Sequence, residues 1–365
     1  MSTPQRLALA TSKGVTIHDV WNDNVEEEFS KIRDIIHEYP YIAFDTEFPG
    51  VVATPIGAFK CKEEFQYNQI ACNVNMLKLI QVGFCLTNSK GELPPNGDIW
   101  QFNIKFSIDD DMYAVESVDL LRRSGIDFTR LQTDGISIED FGSLLTTSGL
   151  VTDGICIEDF GSLLTTSGLV VNKKITWLTF HSCFDFGYLI KTVIGRSLPT
   201  SEKTFFEYHK ALFPRSYDVK MLMKVPKIQA AKLRGGLQDI ADQLSVKRIG
   251  FQHQAGSDAL LTARTFFKLR EKFFNNDWVE LESQFQGYMF GLGAAFTSTL
   301  TELPMPVTKF NSHPLQTNDD DIPLYPLNLS PQNGPPPNFV VPVHPQQQRV
   351  EHQPVNVFQY FQSQI

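Results

Sequence analysis

Tyr41–Gly50 reads YIAFDTEFPG, and the fold turns on how this stretch is read. Four apolar residues, Tyr41 to Phe44, predict a buried strand. The strand runs directly into Asp45 and Glu47, with Thr46 between them. Successive strand side chains alternate between faces, so the two acids emerge together on one face. Like charges held close raise each other's cost of ionisation, and partial burial adds desolvation. A hard divalent cation such as magnesium or manganese relieves both, because it takes oxygen ligands. Taken alone, the stretch equally fits a solvated strand end carrying two ordinary surface acids, so the rest of the chain has to decide.

Upstream, Val25, Phe29, Ile32 and Ile36 recur at helical spacing, with Asn24 in position to cap and Pro40 to stop the helix. Downstream, Val51–Asn75 reads as a loop, Met76–Leu86 as a second strand and Asp98–Phe106 as a third. The short connections between the strands predict an antiparallel meander. Asp109–Gly125 reads as an exposed helix, and Ile175–Phe180 as a strand feeding the turn that carries Asp185. Helices are expected near Lys203–Leu212, at Leu237–Leu244 and through HQAGSDALLTARTFFKLREKFF, with Ser257 as the cap of the last.

One segment occurs twice. TDGISIEDFGSLLTTSGLV, Thr133–Val151, is followed at once by TDGICIEDFGSLLTTSGLV, Thr152–Val170, and the copies differ only at Ser137 and Cys156. Repeat architectures diverge and usually number three or more units, so this is not a solenoid; near-identity fits a recent in-frame duplication or an error in the assembled gene. Each copy carries one short amphipathic helix, and a single groove can take only one of them. The second copy is expected to fill it, because it leads straight into the strand at Ile175. The first copy is then expected to stand out as a surface helix with a partly exposed apolar face.

Two further acids open predicted helices, Asp185 after an apolar strand and Asp258 in the last long helix, and His253 lies five residues before Asp258. At about 100° per residue, positions five apart do not share a helix face. His253 therefore belongs on the incoming loop, reaching across the site. Each acid by itself also fits a first-turn residue meeting a helix dipole; the set of five is more informative than its members.

The D-x-E strand, the later Asp at a helix start and the H-x-A-x-x-D motif resemble the DEDD exonucleases of the ribonuclease H-like superfamily, in the variant with a histidine. FDTEFPGVV, CNVNMLKLIQVG, FHSCFDFGYLIK, FPRSYDVKMLMK, GGLQDIADQL and HQAGSDALLT narrow this to a resemblance with the Caf/Pop-type deadenylases, the nuclease subunits of the CCR-NOT complex, over residues 18–293. The resemblance implies an α/β fold of ribonuclease H-like exonuclease type, with a mixed central sheet, an antiparallel three-stranded lead-in and flanking helices. It implies 3′-to-5′ removal of poly(A) tails with release of 5′-AMP. Asp45, Glu47, Asp185 and Asp258 would be ligands to two divalent cations, Mg2+ or Mn2+, and His253 the base. It implies poly(A) RNA, the complex's scaffold subunit and a second deadenylase as partners, no DNA substrate, and residence in cytoplasm and nucleus. The sequence departs from the family beside Asp185, where Cys183 and Phe184 replace Gly-Tyr, and at Ala71, where a basic residue is common.

Bulk composition agrees with that reading. The net charge of −9 excludes a general nucleic-acid glue. Five cysteines without CxxC or framework spacing read as reduced thiols in a soluble intracellular protein. No apolar run of about 18 residues is present to span a membrane. A basic excess between Arg215 and Arg248 (Lys220, Lys224, Lys227, Lys232, Arg234 and Lys247) fits a phosphate track, a solvated face or a partner surface. Beyond Ser298, twelve of the 21 prolines fall between Pro304 and Pro354, so 298–365 is expected to be disordered. The competing functional readings are a catalytically weak scaffold subunit bridging a second deadenylase and a DNA-directed exonuclease of the same superfamily.

Overall fold

The computed structural model describes residues 11–12, 14–146, 169–293 and 339–340. At its centre is a seven-stranded mixed sheet: β1 (Thr11–Ser12), β2 (Val15–Val20), β3 (Tyr41–Glu47), β5 (Gln81–Thr87), β6 (Asp98–Asn103), β7 (Thr176–Thr179) and β8 (Ser216–Asp218), ordered β1-β2-β6-β5-β3-β7-β8. β3, β5 and β6 form the expected antiparallel meander, while β7 and β8 extend it in parallel on the β3 side. The strand β2, which pairs parallel with β6, was not foreseen. Its buried Val15, Ile17 and Val20 are too few to stand out as a periodic signal.

The two faces of β3 pack differently, and this aims the acids. Phe44, with Phe84, Phe102 and Trp177, faces α1 (Val25–Ile35), α5 (Ile138–Thr146) and α6 (Cys183–Ile194) through Phe29, Phe141 and Phe186. Ala43, with Cys85, Ile99 and Leu178, faces α11 (Ala255–Phe274) through Leu260, Ala263 and Phe266. Asp45 and Glu47 continue the Ala43 face by alternation, so they point toward the start of α11. That helix lies directly on the sheet. A Cβ at Gly83, the residue paired with Asp45, would stand 1.9 Å from the carbonyl oxygen of Ala255. A glycine inside a strand marks this kind of close backbone approach.

Several expected boundaries move. Val51–Asn75 is not a loop: it holds β4 (Thr54–Pro55) and most of α2 (Lys62–Met76), whose Tyr67, Ile70, Ala71 and Val74 are buried at helical spacing. The second strand accordingly begins at Gln81, not Met76. The exposed helix expected over Asp109–Gly125 is the shorter α3 (Val115–Arg123), and it buries Val118 and Leu121. It is followed by α4 (Phe128–Asp134). Asn24 occupies the N-cap position, yet its Oδ1 accepts the Trp21 N–H at 2.7 Å and caps no helix donor. Farther on come α7 (Glu202–Leu212), the short α8 (Val219–Leu222) and α9 (Pro226–Ala230), α10 (Leu237–Gln243) and α12 (Trp278–Phe285).

The duplicated segment seats the other way round from the expectation. The groove is filled by the first copy. Ile136 is stitched to the end of β6, donating to the Asn103 carbonyl at 2.9 Å and accepting from Lys105 N at 2.8 Å. Phe141 then packs edge-on and tilted among Phe29, Phe84 and Phe102, and Leu145 is buried. The first copy enters straight from α4 with no slack, so tethering at its upstream end decides the seating. The extra length falls after Thr146, and the body of the second copy, 152–168, lies outside the described residues. Its last two residues, Leu169 and Val170, are buried. The expected disordered tail, 298–365, also lies outside the described residues, apart from Phe339–Val340, which pair with Thr54–Pro55.

Candidate active site

Three of the five sequence-predicted residues converge tightly. Asp45 and Glu47 from the end of β3 and Asp258 from the first turn of α11 each offer a carboxylate oxygen within 4.8 Å of the others. Burial pushes the Asp45 and Glu47 carboxyls well above the usual range, and the neighbouring acids add to the shift. Among the described residues, the countercharge in contact with the cluster is Arg248, whose guanidinium meets Asp258 Oδ1 at 2.8 Å. The same side chain donates to Ser257 Oγ at 3.0 Å and to Gln238 Oε1. Ser257 is therefore not the cap of α11. It is buried, donates to the Ile249 carbonyl at 2.9 Å, and leaves Gln254 in the N-cap position.

Asp185 reaches the site from the opposite face of the sheet. β7 pairs with β3 only as far as Ala43, so the next backbone N–H groups of β3 on that edge are free of the ladder. The Thr46 N–H donates to Asp185 Oδ1 at 2.9 Å, and the Thr46 hydroxyl donates to the same oxygen. Asp185 thus stands outside the tight triplet, tied to it through Thr46, with burial pushing its carboxyl up to about 7. The turn that delivers it is held by Asp218, a buried acid that accepts the N–H groups of His181, Ser182, Lys220 and Phe290. Cys183 and Phe184 do not disturb this arrangement. Cys183 is buried, and the Phe184 ring stacks on Phe48 at 5.0 Å.

His253 lies on the loop before α11, as expected, with φ at +61°. Its N–H donates to Asp258 Oδ2 at 2.9 Å, and the Gln254 N–H donates to the same oxygen. Burial holds the imidazole below its ordinary value. The start of α11 finds its remaining acceptors in the sheet: Ala255 N donates to Gln81 Oε1 at 3.3 Å and Gly256 N to Gln101 Oε1 at 3.0 Å. The helix end that presents Asp258 is thereby fixed to β5 and β6.

Sequence reasoning missed Thr46, Gln81, Gln101, Asp218 and Arg248. Buried polar residues inside apolar strands were the available signal for the glutamines. Nothing in the spacing marked Arg248. Within the basic stretch it was grouped with, two side chains are engaged inside the protein: Lys227 pairs with Glu280 at 2.7 Å, and Lys220 donates to the Gly235 carbonyl at 2.8 Å.

A family model described as CAF1 family ribonuclease matches residues 20–139 and 165–266. The chain belongs to this family. The interval between the two matched segments falls on the duplication. Among curated relatives of this family member, the CCR4-NOT transcription complex subunit 7 of Caenorhabditis elegans is 56% identical over 283 residues, covering 78% of this chain and 85% of the relative. The poly(A) ribonuclease pop2 of Schizosaccharomyces pombe is 42% identical over 278 residues, covering 76% and 75%. A solved structure of S. pombe Pop2p in a Mg2+- and Mn2+-bound form is similar at TM-score 0.66, with 42% identity and 76% and 99% of the two chains covered. A yeast CAF1 co-crystallized with the NOT1 MIF4G domain is similar at TM-score 0.59 and 27% identity, covering 78% and 100%. The expected ribonuclease H-like α/β architecture is the one found.

Proposed function

We propose that this chain is a metal-dependent 3′-to-5′ exoribonuclease that shortens poly(A) and releases 5′-AMP, its catalytic domain spanning residues 18–293. The observation that carries the reading is the convergence of Asp45, Glu47 and Asp258 within 4.8 Å of one another, with Asp185 tied to the same strand end through Thr46. A buried acid cluster with one guanidinium against it carries excess negative charge, and hard divalent cations suit this donor set. The Mg2+- and Mn2+-bound form of the S. pombe relative supports two such ions here, held by Asp45, Glu47, Asp185 and Asp258. When bound, the ions neutralise the phosphoryl oxygens and lower the pKa of a water.

The protein's own groups do the rest. Gln81, Gln101 and the carboxylate of Asp258 fix the start of α11, so the acids from two elements keep their mutual geometry. His253, held below its ordinary pKa by burial, is neutral at pH 7 and can accept a proton from the attacking water. The water oxygen bonds to phosphorus, the bond to the 3′ oxygen of the preceding nucleotide breaks, and that oxygen leaves with the electron pair and takes a proton from solvent to become the new 3′ hydroxyl.

The relatives' names support membership in the CCR4-NOT complex, and the yeast co-crystal supports docking on its scaffold subunit. Contact with a second deadenylase, and a place in both cytoplasm and nucleus, belong to the same proposal. Among the described residues no helix is long and apolar enough to cross a membrane. The test is a gel assay on 5′-labelled RNA ending in adenosines, with magnesium or manganese. Shortening from the 3′ end that disappears with EDTA and in Asp45→Ala is expected. No shortening from a protein that melts cooperatively would favour the scaffold reading, and preference for a DNA oligomer would favour the DNA exonuclease.

A further inference from the structure

We infer that Phe251 is a base-stacking residue for the RNA strand entering the site, an inference that rests on the poly(A) nuclease reading above. Phe251 is 63% exposed and has no ring or cation–π partner among the described residues. An isolated exposed phenylalanine is unremarkable on a surface; its position is what sets this one apart. It lies two residues before His253, whose N–H is bonded to Asp258, so its backbone is within roughly 7 Å of that anchored residue.

The loop that carries it is fixed at both ends. Gly250 has φ +90° and packs against Ile17 and Ser257, and His253 is locked by Asp258. An exposed aromatic on an anchored loop beside an acid cluster suits a nucleobase, because the cluster and its cations engage the phosphate and leave the bases to find apolar partners. A second exposed apolar pair sits on a segment bonded to the chain just past Glu47. Met112 and Val115 are 42% and 55% exposed on the segment whose Ala114 N–H donates to the Pro49 carbonyl, just past Glu47. Adenine, a broad purine surface, gains most from such a platform, and stacking of one base on an aromatic contributes about 1–3 kcal/mol by alanine substitution.

Steady-state kinetics on oligo(A) RNA in magnesium test this, comparing wild type with Phe251→Ala, Phe251→Trp and, as a remote control, Val279→Ala. Phe251→Ala is expected to raise KM about 5- to 150-fold with kcat nearly unchanged and the melting temperature unmoved. Phe251→Trp is expected to restore KM. A 2-aminopurine next to the 3′ end, bound to Asp45→Ala protein, is expected to lose its quenching when Phe251→Ala is added. An active wild type whose KM and quenching are indifferent to Phe251→Ala would overturn this inference alone. A wild type that does not shorten oligo(A) at all would overturn the site reading and this inference with it.

Discussion

The acid cluster and the groove filled by α5 lie on opposite faces of one sheet and obey opposite rules. In the cluster, each carboxylate raises the cost of its neighbours, and the arrangement makes sense only with specific residues at specific positions. In the groove, Phe141 and Leu145 are held by shape and apolar burial, and any helix with the same pattern serves. The second copy has that pattern, with Phe160 and Leu164 in the equivalent places. A charged site therefore names its residues uniquely, whereas an apolar groove names only a pattern and leaves the choice between copies to the chain's tethering.

The largest expected effect breaks the cluster. Asp45→Ala should lower activity by roughly 10²–10³-fold or more, the scale of losing one strong electrostatic contact to a transition state. In EDTA the same variant should melt higher than wild type, because a like charge has left a crowded buried site. A lower melting temperature in EDTA would mean that Asp45 is a structural residue. Next comes Gly83→Ala on the strand beside it. The added Cβ would meet the Ala255 backbone at 1.9 Å, and overpacking of this kind costs about 1–3 kcal/mol or more. Urea denaturation should show that loss, and activity should fall with it because the N-terminus of α11 carries Asp258.

How much of this was legible in the sequence follows the same division. The face of Asp45 and Glu47, the helix starts at Asp185 and Asp258 and the loop position of His253 all follow from strand alternation and helical pitch, which are local. The bonds that set their spacing are not local. Thr46 to Asp185, Gln81 to Ala255 and Gln101 to Gly256 join residues far apart in the chain, and no spacing rule pairs them. α2 went unseen because its polar residues broke up the apolar run, and α5 was assigned to the wrong copy because both copies satisfy the pattern equally.

Gly142 separates the two copies of that pattern. A Cβ there would lie 2.8 Å from the Thr192 carbonyl oxygen of α6, so Gly142→Val should destabilise by about 1–3 kcal/mol. Gly161→Val, the same change in the second copy, should leave the urea midpoint where it is. If Gly142→Val proves silent and only the double variant loses stability, the second copy can take over the groove, and the seating is an equilibrium between copies. Deleting 147–165 restores a single copy and shortens the connection to the buried Leu169. Loop closure alone then favours the folded state by about 1–2 kcal/mol.

The smallest effect is a pH dependence that the groove lacks and the cluster imposes. Burial holds the Asp185 carboxyl up at about 7, above its value in an unfolded chain. The folded protein therefore keeps a proton that the unfolded chain has already released, and metal-free stability falls as pH rises from about 4 toward 7. Past that midpoint both states are ionised and the slope dies away, so the change between pH 7 and 8 should be under about 1 kcal/mol. Saturating manganese should flatten the profile, because a cation in the site takes over from the proton as the countercharge. Urea midpoints at pH 6, 7 and 8, with EDTA and with manganese, read both slopes. A metal-free protein that gains stability across this range would mean that Asp185 is ionised and fully compensated by Thr46 and its own helix, with no need of a cation.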